Sequence, residues 1–144
     1  MKKRENMNQF SLICPVCFRD NIYQQEIDKE ANCHACGHCL SPMHPLEGDK
    51  QLVTRLLGQQ LPVLVDFWGE WSGPCREFSP LFNEYADKFK GKVIFIKINS
   101  EEEQVFANQL HVTSFPTLIL FKEGLESQRL TGFINAYQLD KLLK

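Results

Sequence analysis

The stretch VDFWGEWSGPCREFSP, residues 65–80, decides how this chain is read. An apolar run enters a tight turn and leaves it with helical periodicity, which predicts a buried strand running into a helix. Cys75 stands in the first turn of that helix, where aligned peptide dipoles favour a thiolate. Pro74 suits the first helical position, because its fixed φ is already helical and its missing N–H is not needed there. Three residues before Cys75, where a second sulfur would complete a C-x-x-C pair, the residue is Ser72.

The composition sets the bounds. With 144 residues, 43% apolar and 24% charged, the chain can build one good core and a small appendage. No apolar run approaches the ~20 residues of a membrane span, so no membrane partner is expected. The start, MKKRENMNQF, has no apolar stretch behind its basic residues, which argues against a secretory signal. Met7 is a second candidate start, and the basic cluster reads as a solvated tail. A net charge of −2, and no basic stripe in CFRDNIYQQEIDKEANC, give no reason to expect nucleic acid.

Five of the six cysteines lie between Cys14 and Cys39. Cys14-x2-Cys17, fifteen residues, then Cys33-x2-Cys36 is the spacing of a four-cysteine zinc site. Each pair can present two thiolates to one tetrahedral ion, with Pro15 and Gly37 fitting the turns. Four ligands fill the tetrahedron, so the zinc is expected to be structural, with Cys39, His34 and His38 outside it. Clustered pairs of this kind point to a reducing compartment, and the cytoplasm is the expected address. The expected organisation is a tail over 1–13, a zinc-ribbon-like module over 14–39, a linker with a possible edge strand at Met43–Leu46 over 40–48, and a larger unit over 49–144.

In that larger unit Leu52, Val53, Leu56 and Leu57 form a helical stripe with Asp49 as a candidate N-cap. PVLVDFW and KVIFIKIN read as buried strands. Phe78, Leu81, Phe82, Tyr85 and Phe89 share a helical face that Pro80 should kink or interrupt. EEEQVFANQL reads as a helix with acidic residues in its first turn. TLILFKEGLESQRLTGF reads as a hairpin turning at Glu123-Gly124, and NAYQLDKLL as a closing helix. Alternation followed by a hairpin implies an α/β sandwich with a mixed central sheet between helices. Ligands gather beyond the carboxyl ends of the central strands of such folds, where WGEWSGPC lies.

Two charges interrupt apolar strands. Asp66 lies among Val63, Leu64, Val65 and Phe67, and Lys97 among Ile94, Phe95, Ile96 and Ile98. A buried carboxyl with a nearby ammonium can hold a raised pKa and pass protons to a thiol. TSFPT brings Pro116 to the start of a strand, a turn position whose peptide bond can be cis.

From about Asp49 to Lys144 these motifs together resemble the thioredoxin family. VDFWGEW, GPC, KIN, SFPT and TGF match its active-site, buried-lysine, proline and glycine motifs in kind, order and spacing. With the four-cysteine module in front, the chain from Cys14 on is similar to the zinc-binding bacterial thioredoxin 2 type. The resemblance implies a thioredoxin fold and a monomeric protein-disulfide oxidoreductase, with thioredoxin reductase and oxidised or thiol-containing client proteins as partners. It implies that Cys75 is the resolving cysteine, Asp66 the proton acceptor and Lys97 its partner. Trp71, Gly73, Pro74, Phe115, Pro116 and Gly132 would shape the substrate groove. Ser72 falls where the family has its nucleophilic cysteine.

That departure changes the chemistry. A serine hydroxyl stays protonated at neutral pH without a strong base and forms no disulfide, whereas exchange needs one thiolate to attack and a second thiol to release. The chain as written is therefore expected to be inactive as a dithiol enzyme. Two readings stand open on the sequence. In one, serine replaces the nucleophile of a working exchange site, as an engineered Cys→Ser change does. In the other it is natural, and the chain is a redox-silent, zinc-containing thioredoxin-fold module that holds partner peptides against Trp71 and Pro116.

Overall fold

The computed structural model describes residues 9–24, 32–40 and 44–143. β1 (Gln9–Ile13) and β2 (Asp20–Gln24) pair antiparallel, with Leu12 opposite Asn21. Residues 9–13, expected in the tail, thus form a strand, while residues 1–8, including Met7, lie outside the described residues. The strand was hidden because it completes a core elsewhere in the chain. Leu12 is fully buried, and Leu12, Cys14, Cys33 and Leu40 belong to the same apolar cluster as Leu52, Val53 and Leu56.

The main sheet begins with β3 (Leu46–Gly48), followed by α1 (Lys50–Leu56) and β4 (Val63–Trp68). The edge strand starts later than the expected Met43–Leu46. Pro45 has no N–H to give to a ladder, and Met43 lies outside the described residues. Asp49 caps α1, its Oδ1 accepting the Leu52 N–H at 2.9 Å.

α2 (Gly73–Lys88), β5 (Ile94–Asn99), α3 (Gln104–Gln109), β6 (Thr117–Lys122), β7 (Leu125–Thr131) and α4 (Ala136–Leu143) complete the order. Two details differ from the sequence reading. Pro80 lies inside a continuous α2, which buried Phe78, Phe82 and Tyr85 hold on both sides of it. Glu101 to Glu103 precede α3 instead of forming its first turn. The Asn99 side chain and carbonyl take up their N–H groups in a competing turn, with Asn99 Oδ1 accepting from Glu101 at 2.9 Å.

The five strands run in the order β3-β5-β4-β6-β7, with β3, β5 and β4 parallel and β6 and β7 antiparallel. This is the mixed central sheet between helices that the alternation implied. Side chains alternate across it. Val63, Val65, Phe67, Ile94, Ile96 and Ile98 pack in one cluster with α1, α3 and the N-terminal hairpin. Leu64, Phe95, Leu118 and Leu120 pack in the other with α2 and α4. By the same alternation Asp66 and Lys97, direct register partners on β4 and β5, project toward the α2 side.

The hairpin is fastened to the sheet unit by polar contacts as well. Gln59 Oε1 accepts the Ile13 N–H at 3.2 Å, and the Gln60 N–H donates to the Ser11 carbonyl at 3.2 Å. Arg55 on α1 lays its guanidinium over the Phe18 ring, 5.1 Å from the centroid.

Candidate functional site

The turn from β4 into α2 builds the site. Ser72 is the N-cap of α2, with extended backbone, and its Oγ accepts the Cys75 N–H at 3.3 Å. The same hydroxyl donates to the Phe115 carbonyl at 3.5 Å. Serine is among the preferred N-cap residues, and Ser72 followed by Pro74 in the first turn is a cap signal that the sequence reading passed over. Cys75 Sγ lies below it and accepts the Gly69 N–H at 3.5 Å. Ser72 and Cys75 are 5% and 6% exposed, so the two positions are about equally covered.

The groove residues converge from three loops. Trp71, 61% exposed, stands edge-on to Phe115 with ring centroids 5.3 Å apart. Gly69 permits that placement, since a Cβ there would come within 2.8 Å of the indole. The Phe115–Pro116 peptide bond is cis. Gly132 donates its N–H to the Pro116 carbonyl at 3.0 Å, which brings the loop after β7 beside the proline. Gly73 and Pro74 form the first turn of α2, half-buried.

Behind the turn, Asp66, Trp68, Cys75, Ser79 and Lys97 line a cavity of about 160 Å3 with Glu70 and Arg76 at its margin. Asp66 is 3% exposed, and its Oδ1 has no hydrogen-bond partner among the described residues. Desolvation pushes its carboxyl up to about 7, while the positive charge of Lys97 pulls the other way. The Lys97 ammonium goes to Ser79, donating to its Oγ at 3.3 Å, and lies 5.6 Å from the centre of the Trp68 ring. Ser79 was not singled out from the sequence. Its place one helical turn after Cys75 is the signal that could have found it.

A second cluster lies across the sheet from this cavity. The Sγ atoms of Cys14, Cys17, Cys33 and Cys36 are all within 4.8 Å of one another, with Cys14–Cys36 and Cys17–Cys33 each at 3.6 Å. A tetrahedral ion with metal–sulfur bonds of about 2.3 Å would hold its sulfurs roughly 3.8 Å apart, so the four can hold a metal.

Two matching turns present them. The Phe18 N–H donates to the Cys14 carbonyl and the Gly37 N–H to the Cys33 carbonyl, each at 2.9 Å, and both residues have positive φ. Glycine was expected in that conformation; Phe18 was not, and its ring packs against the main apolar cluster and Arg55. Backbone N–H groups, that of Cys36 foremost, hold the Cys33 thiol down to about 6. At Cys36 the His38 N–H favours thiolate, but desolvation and the neighbouring sulfurs push the thiol up to about 11. Four sulfurs this close ionise together only around a cation. Cys39 is outside the cluster and pairs with Asn32 in an isolated bridge, and His38 Nδ1 lies 3.0 Å from the Cys39 carbonyl.

Comparison with known proteins agrees with this architecture. The thioredoxin family model matches residues 45–144. The chain belongs to the thioredoxin family. It is 31% identical over 134 residues to thioredoxin C-3 of Corynebacterium nephridii, covering 92% of each chain. It is 35% identical over 96 residues to thioredoxin 1 of a Nostoc species, covering 67% of this chain and 90% of that one. Among solved structures, a mutant thioredoxin from Halobacterium salinarum superposes with a TM-score of 0.66 at 28% identity, covering 72% of this chain and 90% of that one. No helix among the described residues is long and apolar enough to cross a membrane.

Within this thioredoxin fold Asp66 gives a pH-dependent stability with a definite sign. Unfolded, the carboxyl ionises near its ordinary 3.8; folded, it keeps its proton to about 7. Folding therefore takes up a proton between those values. The contribution of Asp66 to stability falls as pH rises from about 4 to 7 and is least favourable above that. Asp66→Asn or Asp66→Ala should raise the unfolding free energy measured in urea at about pH 8, and with it the midpoint, by roughly 2–4 kcal/mol for the isosteric asparagine, with little gain at about pH 4. A lowered midpoint at pH 8 would show that the carboxylate is paired or solvated.

Proposed function

We propose that this chain is a thioredoxin-type protein-disulfide oxidoreductase scaffold whose exchange site is complete except for the sulfur at position 72. The observation that carries this reading is the one cavity in which a buried thiol, Cys75, and a buried carboxyl, Asp66, whose Oδ1 has no hydrogen-bond partner among the described residues, meet directly behind that position. In exchange, a thiolate at position 72 would attack a client disulfide and expel one client thiolate. Asp66 would then take the proton of Cys75, and the Cys75 sulfur would attack the mixed disulfide, closing the protein disulfide and releasing the second client thiolate. With serine in place the first step does not occur, and Cys75 has no mixed disulfide to resolve.

The groove can still hold a client. Trp71, Phe115 and Pro116 offer an apolar ledge beside backbone groups, which supports the second reading, a redox-silent module that binds partner peptides. The contacts of the Ser72 hydroxyl favour it too, because the serine serves as a working cap. Thioredoxin reductase and oxidised or thiol-containing client proteins are the partners the exchange reading implies, in a reducing cytoplasm and with the chain acting as a monomer.

We also infer that the four-cysteine cluster is a closed structural zinc site of the kind found in zinc-binding bacterial thioredoxins. Cys14, Cys17, Cys33 and Cys36 would be its ligands. The organisation that follows is a zinc module over 14–39 joined through 40–48 to the thioredoxin unit over 49–144.

Two experiments test these readings. Elemental analysis should give about one zinc per chain, falling sharply in Cys33→Ser and unchanged in Cys39→Ser; zinc retained in Cys33→Ser would overturn the ligand set. Insulin reduction driven by dithiothreitol should be near background for the chain as written and orders of magnitude faster for Ser72→Cys. No gain in a folded variant able to close a disulfide to Cys75 would favour the binding module.

A further inference from the structure

Lys97 faces two concavities. On one side is the cavity it shares with Asp66, Cys75, Trp68 and Ser79, with Glu70 and Arg76 at the margin. On the other is an open groove lined by His44, Glu47 of β3, and Glu84 and Asp87 of α2, with Pro80 and Asn83. Arg76 is engaged elsewhere, donating from Nη1 to the Glu70 carbonyl at 3.1 Å. Lys97 is therefore the cation with a choice. Three carboxylates in wet surroundings draw it outward, and one buried carboxyl draws it inward. A four-carbon stem lets the ammonium reach either way.

Helical geometry supplies the selector. Cys75 and Ser79 are one turn apart on α2, so both side chains reach the same cavity. The Ser79 Oγ accepts from Lys97 at 3.3 Å and keeps the ammonium within 5.6 Å of the Trp68 ring centre, on the inner side. We propose that Ser79 is a positioning residue for thiol exchange, holding the Lys97 ammonium in the Asp66–Cys75 cavity against the outer carboxylates. The proposal rests on the reading of Asp66 as proton acceptor for Cys75. An ammonium held nearby favours the ionised carboxyl, the form that can take the thiol proton. If it leaves, Asp66 stays protonated to higher pH, and less of it is ionised to take the thiol proton at neutral pH.

Ser79 touches no reacting atom, so its test is a titration that needs no turnover and uses the protein with Ser72 in place. The Asp66 carboxyl carbon is followed by NMR against pH in the parent, Ser79→Ala, Ser79→Thr, Lys97→Gln and the Ser79→Ala/Lys97→Gln double variant. Ser79→Ala should move the Asp66 midpoint upward by roughly half a unit to one unit. Ser79→Thr, which keeps the hydroxyl, should titrate with the parent. Lys97→Gln should raise the midpoint at least as far, and adding Ser79→Ala to it should change nothing more. An unmoved or lowered midpoint in Ser79→Ala overturns the proposal, as does an equal shift in the Lys97→Gln background, which would mean that the hydroxyl acts without the lysine. A parent midpoint in the ordinary carboxylate range would overturn the proton-acceptor reading itself, an outcome distinct from a failure at Ser79.

Discussion

Side chains alternate along a strand, so a carboxyl between Val65 and Phe67 on the central strand must lie on the same face as Leu64. That face is covered by α2. Asp66 cannot reach bulk water from there, and its Oδ1 has no partner among the described residues. Burying a carboxylate without a partner is expensive, so the group holds its proton into the neutral range instead. Several features follow from that constraint. The cavity behind Cys75 carries a few polar groups and is roomy enough to admit water, Lys97 is placed beside Asp66 by strand register, and the helix that covers both carries Cys75 and Ser79 at successive turns. A site of this kind costs stability, and such costs concentrate where proton transfer is needed.

The other face of the sheet carries the metal-competent cluster. The cysteine module is too small to bury a core, and it shares one. Leu12, Cys14, Cys33 and Leu40 pack with α1 and the strands, and Gln59 and Gln60 fasten β1 to the segment after α1. The sulfur cluster and the Asp66 cavity are therefore separated by the sheet, with no ligand common to both. A closed four-thiolate site suits that position, since it can order the hairpin without offering reactive thiols to the exchange site.

Most of the architecture was legible because its signals are local. Strand runs, the Asp49 cap, the Glu123-Gly124 turn and the paired C-x-x-C spacing each depend on a few adjacent residues. What escaped the sequence depends on contacts between distant segments. Gln9–Ile13 becomes a strand because Leu12 fills a core built by later residues. Phe18 takes the positive φ that its turn shares with Gly37, and a bulky residue is accommodated there with its ring against Arg55 and the apolar cluster. The acidic triplet before α3 lost its place to the turn made by Asn99. At the site, Asp66, Lys97 and Cys75 stood out because a charge in an apolar strand, or a sulfur at a helix start, is conspicuous. Ser72 was conspicuous as an absence, yet its physical role is a presence: a hydroxyl bonded to the Cys75 amide and the Phe115 carbonyl. Ser79 escaped because a serine in an amphipathic helix carries no signal until its partner is known.

The central claim is that one atom, oxygen in place of sulfur at position 72, separates this chain from a dithiol couple. Redox equilibration of the Ser72→Cys variant in a series of dithiothreitol buffers, with the disulfides located by peptide mass spectrometry, tests it most directly. The account predicts a single two-electron transition near the thioredoxin range, about −270 mV, joining the introduced thiol to Cys75 while Cys14, Cys17, Cys33 and Cys36 stay out of it. A variant that closes no such disulfide, or that pairs the new thiol with Cys39 or a module cysteine instead, would contradict it.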